Sequence, residues 1–175
     1  IVGVAEIQTA SLTHAANSYN LRPYFDYRQM IEEIHPDLVA IVVPTHLHYE
    51  VAAYVISKNI HVLIEKPMTY TISESQKLIT LARKHRVKIA VGHVERFNPA
   101  VKELKRQLAL GYLGQIFSLH SRRVGPFPSR VYDVGVAFDI ATHDIDIMQY
   151  LVGTTIQHVY AEIQQRLHTH EDLLY

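Results

Sequence analysis

A lysine set between a glutamate and a proline, directly after an apolar run, is one candidate for chemistry in this chain; an aspartate four residues before a histidine is another. Lys66 follows His61–Ile64, which reads as a strand, and is flanked by Glu65 and Pro67. A cation at a crevice mouth can donate to a substrate hydroxyl and steady charge developing on its oxygen. Pro67 fixes the local backbone and admits a cis Lys66–Pro67 bond. A surface lysine beside a turn would read the same way. Asp139 and His143 are spaced to share a helix face. An imidazole titrating near neutrality is a natural base for an alcohol proton, with Asp139 orienting either the substrate or the ring. The plainer alternative is an acid placed by the dipole at a helix N-terminus, with an incidental histidine.

Other groups extend this set. Glu6 ends the first apolar run. In a dinucleotide-binding fold an acid there accepts hydrogen bonds from ribose hydroxyls and repels a 2′-phosphate. Neither Ile7 nor Gln8 could pair with such a phosphate, so NAD is expected rather than NADP; otherwise Glu6 is a solvated strand-end acid. Arg122, Arg123 and Arg130 bracket a loop with Gly125, Pro126 and Pro128. Guanidinium groups match phosphate oxygens in pairs, which suits a phosphorylated or nucleotide-linked substrate; a solvated loop is the alternative. His46 and His48 flank Leu47, where a helix-entry role or a nucleotide contact is favoured over a metal. His168 and His170 read as strand-face residues. His143 with Asp144 and Asp146 could also suggest a metal, but hydride removal from an alcohol needs only a base, and no metal site is expected.

Composition narrows the setting. Lys plus Arg number 17 and Asp plus Glu 17, so net charge supports neither nucleic-acid nor membrane binding, and an anionic ligand needs local cations. There is no cysteine, which excludes disulfides and thiolate metal sites. No apolar run reaches the ~20 residues that span a bilayer. A cytoplasmic protein is expected. The chain opens inside a strand-like run, Ile1–Ala5, without Met, and Glu171–Tyr175 stops without a capped helix or a turn. Truncation at both ends is the expectation.

The elements that must hold these groups alternate in the first half. Ile1–Ala5 reads as a strand. Asp26–Ile34 reads as a helix, with Tyr27, Met30, Ile31 and Ile34 at helical spacing, Asp26 and Gln29 forming a capping-box pattern, and Pro36 ending it. Leu38–Val43 is an unbroken apolar run, as for a parallel strand buried on both faces. A helix follows over about Leu47–Lys58, with Asn59 as a left-handed stop. Then come His61–Ile64, a helix to about Lys84 capped by Thr71 or Ser73, and Lys88–Val91. Such alternation gives an α/β fold with a parallel sheet, helices on both faces, and a ligand crevice at the strands' carboxyl ends. Those ends carry Glu6, Pro44 and Thr45, Glu65 and Lys66, and Gly92 and His93. After Gly92 the pattern changes. Pro99–Leu110 and Val136–Leu151 read as helices, Gln115–Ser121 and Ile156–Leu167 as strands, and Arg122–Asp133 as a loop. Residues 1–93 thus form one domain and residues 94–175 the start of an α+β domain.

Taken in order, these stretches resemble the Gfo/Idh/MocA oxidoreductases. The run from Asn59 to Pro67 is similar to the family's Glu-Lys-Pro signature, Val43–His48 to its loop on the nicotinamide side, and Asp139–His143 to its catalytic helix. Val91–Pro99, Arg123–Arg130 and Asp133–Val136 look most like UDP-N-acetylglucosamine 3-dehydrogenases of that family. The resemblance implies a Rossmann-like domain, here lacking its first strand and Gly-rich turn, followed by a substrate domain that often forms oligomers. It implies hydride transfer from a sugar carbon to NAD, with His143 as base, Lys66 on the reacting oxygen, and Asp139 holding substrate and His143. Glu6, Pro44, Thr45, His48, Glu65, Lys66 and Pro67 would contact the cofactor. Arg96, Asn98, Arg122, Arg123 and Arg130 would contact a sugar or nucleotide-sugar such as UDP-N-acetylglucosamine. A free sugar or inositol, or a non-catalytic ligand-binding relative, is the alternative.

Overall fold

In a computed structural model, which describes residues 1–125, 134–167 and 169–175, parallel strands and helices alternate through the first half of the chain. β1 (Gly3–Ala5) pairs in parallel with β2 (Arg22–Tyr24), and the helix α1 (Thr9–Tyr19) joins them. α2 (Tyr27–Ile34) leads to β3 (Leu38–Ile41), α3 (His48–Ser57) to β4 (His61–Ile64), and α4 (Ile72–His85) to β5 (Ile89–Val91). The last three strands form one parallel sheet, ordered β3-β4-β5. Among the described residues the two parallel sheets share no ladder, and α2 ties them together. Ile34 of α2 lies against Gly3, where a Cβ would have to displace the tip of its side chain, while Ile31 enters the core beneath β3. The fold is α/β of Rossmann type, as expected.

Local chemistry sets the boundaries. Thr71 caps α4 in a full capping box: its hydroxyl accepts from the Glu74 amide, and the Glu74 carboxylate from the Thr71 amide. Ser73 lies inside the helix. Asp26 caps α2 by accepting from the Arg28 amide at 2.8 Å. The expected box with Gln29 does not form, because the short aspartate is spent on the second amide and Gln29 turns to Glu33. Asn59 stops α3 at φ 63°, as expected. α1 and β2 were not anticipated. α1 buries only Leu12, too little for a periodic stripe, and β2 is three residues long with a central proline.

The core lies between β3-β4-β5 and α2, α3 and α4, where Ile41, Val55, Ile56, Val62, Ile64 and Leu78 are at most 2% exposed. Each such side chain contributes roughly 1.5–3 kcal/mol by leaving water. The Leu38–Val43 run is not buried on both faces. Leu38 is 55% and Val42 74% exposed, and Leu63 of β4 is 38% exposed on the same side. Among the described residues helices cover one face of this sheet only.

The second half holds α5 (Pro99–Ala109), a π-helical turn (Ala137–Ala141), α6 (Thr142–Val152), and the short antiparallel pair β6 (Ile163–Gln164) and β7 (Leu173–Leu174). Lys105 of α5 donates to the Tyr150 and Leu151 carbonyls, satisfying the C-terminal end of α6, which Gly153 closes at φ 78°. The strand expected over Gln115–Ser121 does not form, and of Ile156–Leu167 only two residues pair. A strand needs a partner for its backbone, and β7 offers two residues. Phe117, Val159, Tyr160 and Leu167 are consequently 80–89% exposed. No helix among the described residues is long and apolar enough to cross a membrane.

Candidate active site

The tip of β4 and the start of α6 meet through a single cation. Lys66 Nζ donates to the backbone oxygen of Asp139 at 2.5 Å and to its carboxylate at 2.8 Å. Both side chains are largely covered, at 15% and 17% exposure, so water screens the pair weakly. Asp139 sits in the π-helical turn ahead of α6, where ordinary i→i−4 bonding is interrupted. The spacing argument assumed an unbroken α-helix; the extra residue rephases Asp139 relative to His143. The Asp139 carboxylate serves Lys66, and no hydrogen bond joins it to the His143 ring.

His143 Nδ1 is buried and makes no hydrogen bond. Desolvation pushes its pKa below the usual imidazole value, and the nearby Lys66 and Arg123 cations push the same way, opposed more weakly by Glu95 and Asp139. Both effects favour the neutral ring, the form that carries a lone pair. Glu171 steadies the turn from outside. Its carbonyl accepts from the Val136 amide, its carboxylate from the Ala137 amide, and it lies against Gly135, where a side chain would collide. An acid at the head of this helix also suits the helix dipole.

The ends of β4 and β5 meet beside Lys66. The Glu65 carboxylate accepts from the Lys66 amide and lies 3.1 Å from where a Cβ would sit on Gly92, so a side chain at position 92 would push it aside. The Lys66–Pro67 bond is cis. Thr45 is buried and Pro44 exposed after β3. His48 is 1% exposed, with Nδ1 2.9 Å from the Pro67 oxygen and Nε2 2.8 Å from the Val43 oxygen. Each ring nitrogen thus faces a backbone carbonyl, and His48 lies between the two loops. Glu6 ends β1, with one carboxylate oxygen taking the Gln8 amide at 2.8 Å.

The expected substrate arginines fare differently. Arg96 is locked on Asp146 through two hydrogen bonds of 2.7 and 2.5 Å, and Arg123 on Asp144 through two of 3.2 Å. The Asn98 side chain is used as the α5 cap, accepting from the Ala100 amide. Arg122 is exposed. Arg130, with most of its loop, and His168 lie outside the described residues. Asp146, 8% exposed, was not singled out as the partner of Arg96. Its one trace in the sequence is its position three residues after His143, which places it on the same helix face.

The family described as "Oxidoreductase family, NAD-binding Rossmann fold" (GFO_IDH_MocA) matches residues 1–93, and the "GFO/IDH/MocA C-terminal domain" matches residues 101–173. The chain is 31% identical over 153 residues to UDP-N-acetylglucosamine 3-dehydrogenase of Acidithiobacillus ferrooxidans, covering 87% of this chain and 47% of that protein. It is 27% identical to myo-inositol 2-dehydrogenase of Thermotoga maritima, covering 81% of this chain and 43% of that one. A solved structure of the A. ferrooxidans enzyme, GnnA, superposes with a TM-score of 0.85 at 28% identity, over 99% of this chain and 53% of that one. The WlbA dehydrogenase from Bordetella pertussis, solved with NADH and UDP-GlcNAcA, has the same fold, with a TM-score of 0.82 at 22% identity, over 98% of this chain and 56% of that one. The chain spans about half the length of the curated relatives it matches.

Proposed function

The chain belongs to the Gfo/Idh/MocA oxidoreductase family, and we propose that it takes part in the NAD-dependent oxidation of a sugar hydroxyl. The observation that carries this reading is the Lys66 ammonium held by Asp139 near His143, whose neutral form is favoured by burial. A non-catalytic relative would have no need to keep all three. The strand ends also suit a dinucleotide: Glu6 leaves one carboxylate oxygen for a ribose hydroxyl and would repel a 2′-phosphate, favouring NAD over NADP.

NAD, when bound, supplies the acceptor for the hydride. The chain's residues do the rest. Lys66 donates to the reacting hydroxyl oxygen and stabilises the charge that grows there. Asp139 keeps the ammonium on that spot. His143 takes the hydroxyl proton; with Nδ1 shielded, Nε2 is the nitrogen open to a ligand. The hydrogen would leave carbon with the C–H electron pair as the hydride that NAD accepts, the O–H proton goes to His143, and the carbon becomes a carbonyl. Pro44, Thr45, Glu65 and Pro67 shape the cofactor edge, and His48 positions that edge through the Val43 and Pro67 carbonyls.

The substrate we favour is a nucleotide sugar such as UDP-N-acetylglucosamine, in line with the relative at 31% identity. One observation favours a second reading, a free sugar or inositol. Arg96 and Arg123 already pair with aspartates, which leaves fewer cations for a pyrophosphate. NADH absorbance measured with UDP-N-acetylglucosamine or myo-inositol separates the two. Turnover of the nucleotide sugar is expected, falling at least about 100-fold in Lys66→Ala, as for loss of a group that stabilises transition-state charge. Turnover of inositol alone would transfer the assignment to the second reading, and an unchanged Lys66→Ala rate would remove Lys66 from the mechanism.

A further inference from the structure

His93 stands at the carboxyl end of β5, immediately after the glycine that lies against Glu65, and its backbone turns sharply there, with its amide on the Val91 carbonyl. Its Nδ1 is buried and makes no hydrogen bond, yet it faces Asp146 Oδ1 at 3.6 Å. Asp146 itself is 8% exposed and gripped on both oxygens by Arg96, whose guanidinium lies over the Tyr150 ring. A carboxylate so held keeps its orientation. It can only accept, so it favours the His93 tautomer with the proton on Nδ1. The lone pair then falls on Nε2, on the ring edge opposite the shielded nitrogen, and the side chain is 30% exposed. Asp146 lies three residues beyond His143 on α6, so both histidines serve the same crevice.

Resting on the dehydrogenase reading, the geometry points to His93 as a substrate-binding residue: Asp146 fixes its tautomer, and its Nε2 accepts a hydrogen bond from a sugar hydroxyl or an amide N–H of the substrate. The Arg96–Asp146 pair is then a positioning device, not a phosphate site. The 3.6 Å gap closes by a few tenths of an ångström when the substrate engages Nε2, as hydrogen bonds in ligand-free sites commonly do.

Steady-state kinetics of the full chain test this. His93→Phe should raise KM for the sugar about tenfold or more, as expected for one lost hydrogen bond to a polar ligand. It should leave the pH dependence of kcat and the NAD-induced rise in melting temperature as they were. His93→Gln, whose amide oxygen can stand in for Nε2, should recover most of the loss. Asp146→Asn should raise KM as well, because an amide no longer selects the tautomer. An unchanged KM in His93→Phe, with the wild type oxidising the sugar, overturns the assignment. If the wild type oxidises no sugar, the dehydrogenase reading fails instead. Nitrogen-15 NMR of the wild type then still decides the tautomer: a proton on Nδ1 is expected, and one on Nε2 overturns the role given to Asp146.

Discussion

Burial and two neighbouring cations act on His143 in the same direction, and its titration carries the pH behaviour of the proposed reaction. Its folded pKa lies below the unfolded value of about 6.5. The acid limb of kcat/KM should accordingly fall below pH of about 6.5, because only the neutral ring accepts the hydroxyl proton. The stability contribution has the matching sign. Below its own pKa the unfolded chain binds the proton more readily, so this part of the stability is present above pH of about 6.5 and is lost as pH falls towards the folded pKa. Arg123→Gln removes one of the cations and should move the limb upward; a limb already at or above the ordinary imidazole value would mean that another group is the base. Lys66, Asp139 and His143 were recognisable by residue type and spacing. Which of them bond to each other was not, because the π-helical turn places Asp139 on Lys66 rather than on His143. The roles of Asp146 and His93 were hidden for a similar reason, since their meeting joins residues far apart in the chain.

Caps and breakers decide where elements start and stop, and they act within a few residues. That locality made α2, α3, α4, α5 and the stop at Asn59 legible, while α1, with a single buried side chain, left no pattern. The two caps offered for α4 provide a direct contrast. Thr71→Ala removes the capping box and should cost about 1 kcal/mol, lowering the melting temperature by about 2–4 °C for a chain of this size. Ser73→Ala, inside the helix, should stay within about 0.5 kcal/mol. Calorimetry on both variants checks this, and equal losses would mean that the box adds nothing. The failed strands at Gln115–Ser121 and Ile156–Leu167 mark the boundary of local reasoning: alternation describes a residue's fitness for a sheet, but pairing depends on a partner elsewhere.

Across the whole molecule, apolar surface remains on one face of β3-β4-β5 and along the C-terminal segment. We propose that copies of the chain associate through that segment, where Val159, Tyr160 and Leu167 are at least 80% exposed. Sedimentation should show a concentration-dependent oligomer, and Tyr160→Glu should shift it towards monomer by placing a charge in the contact. A monomer at every concentration would refute it. By itself the sequence determined most of the alternation of strands and helices, several of their caps and stops, and the identity of the chemical groups at the strand ends. Each of these rests on neighbours in the chain or on the period of an element. Only the tertiary structure decided that the parallel strands fall into two sheets, that among the described residues helices cover one face of the larger sheet, that His48 faces inward, and that Arg96 and Arg123 are paired with aspartates. Those outcomes depend on burial and on contacts between distant residues, where desolvation and charge pairing act through space and leave no spacing to read.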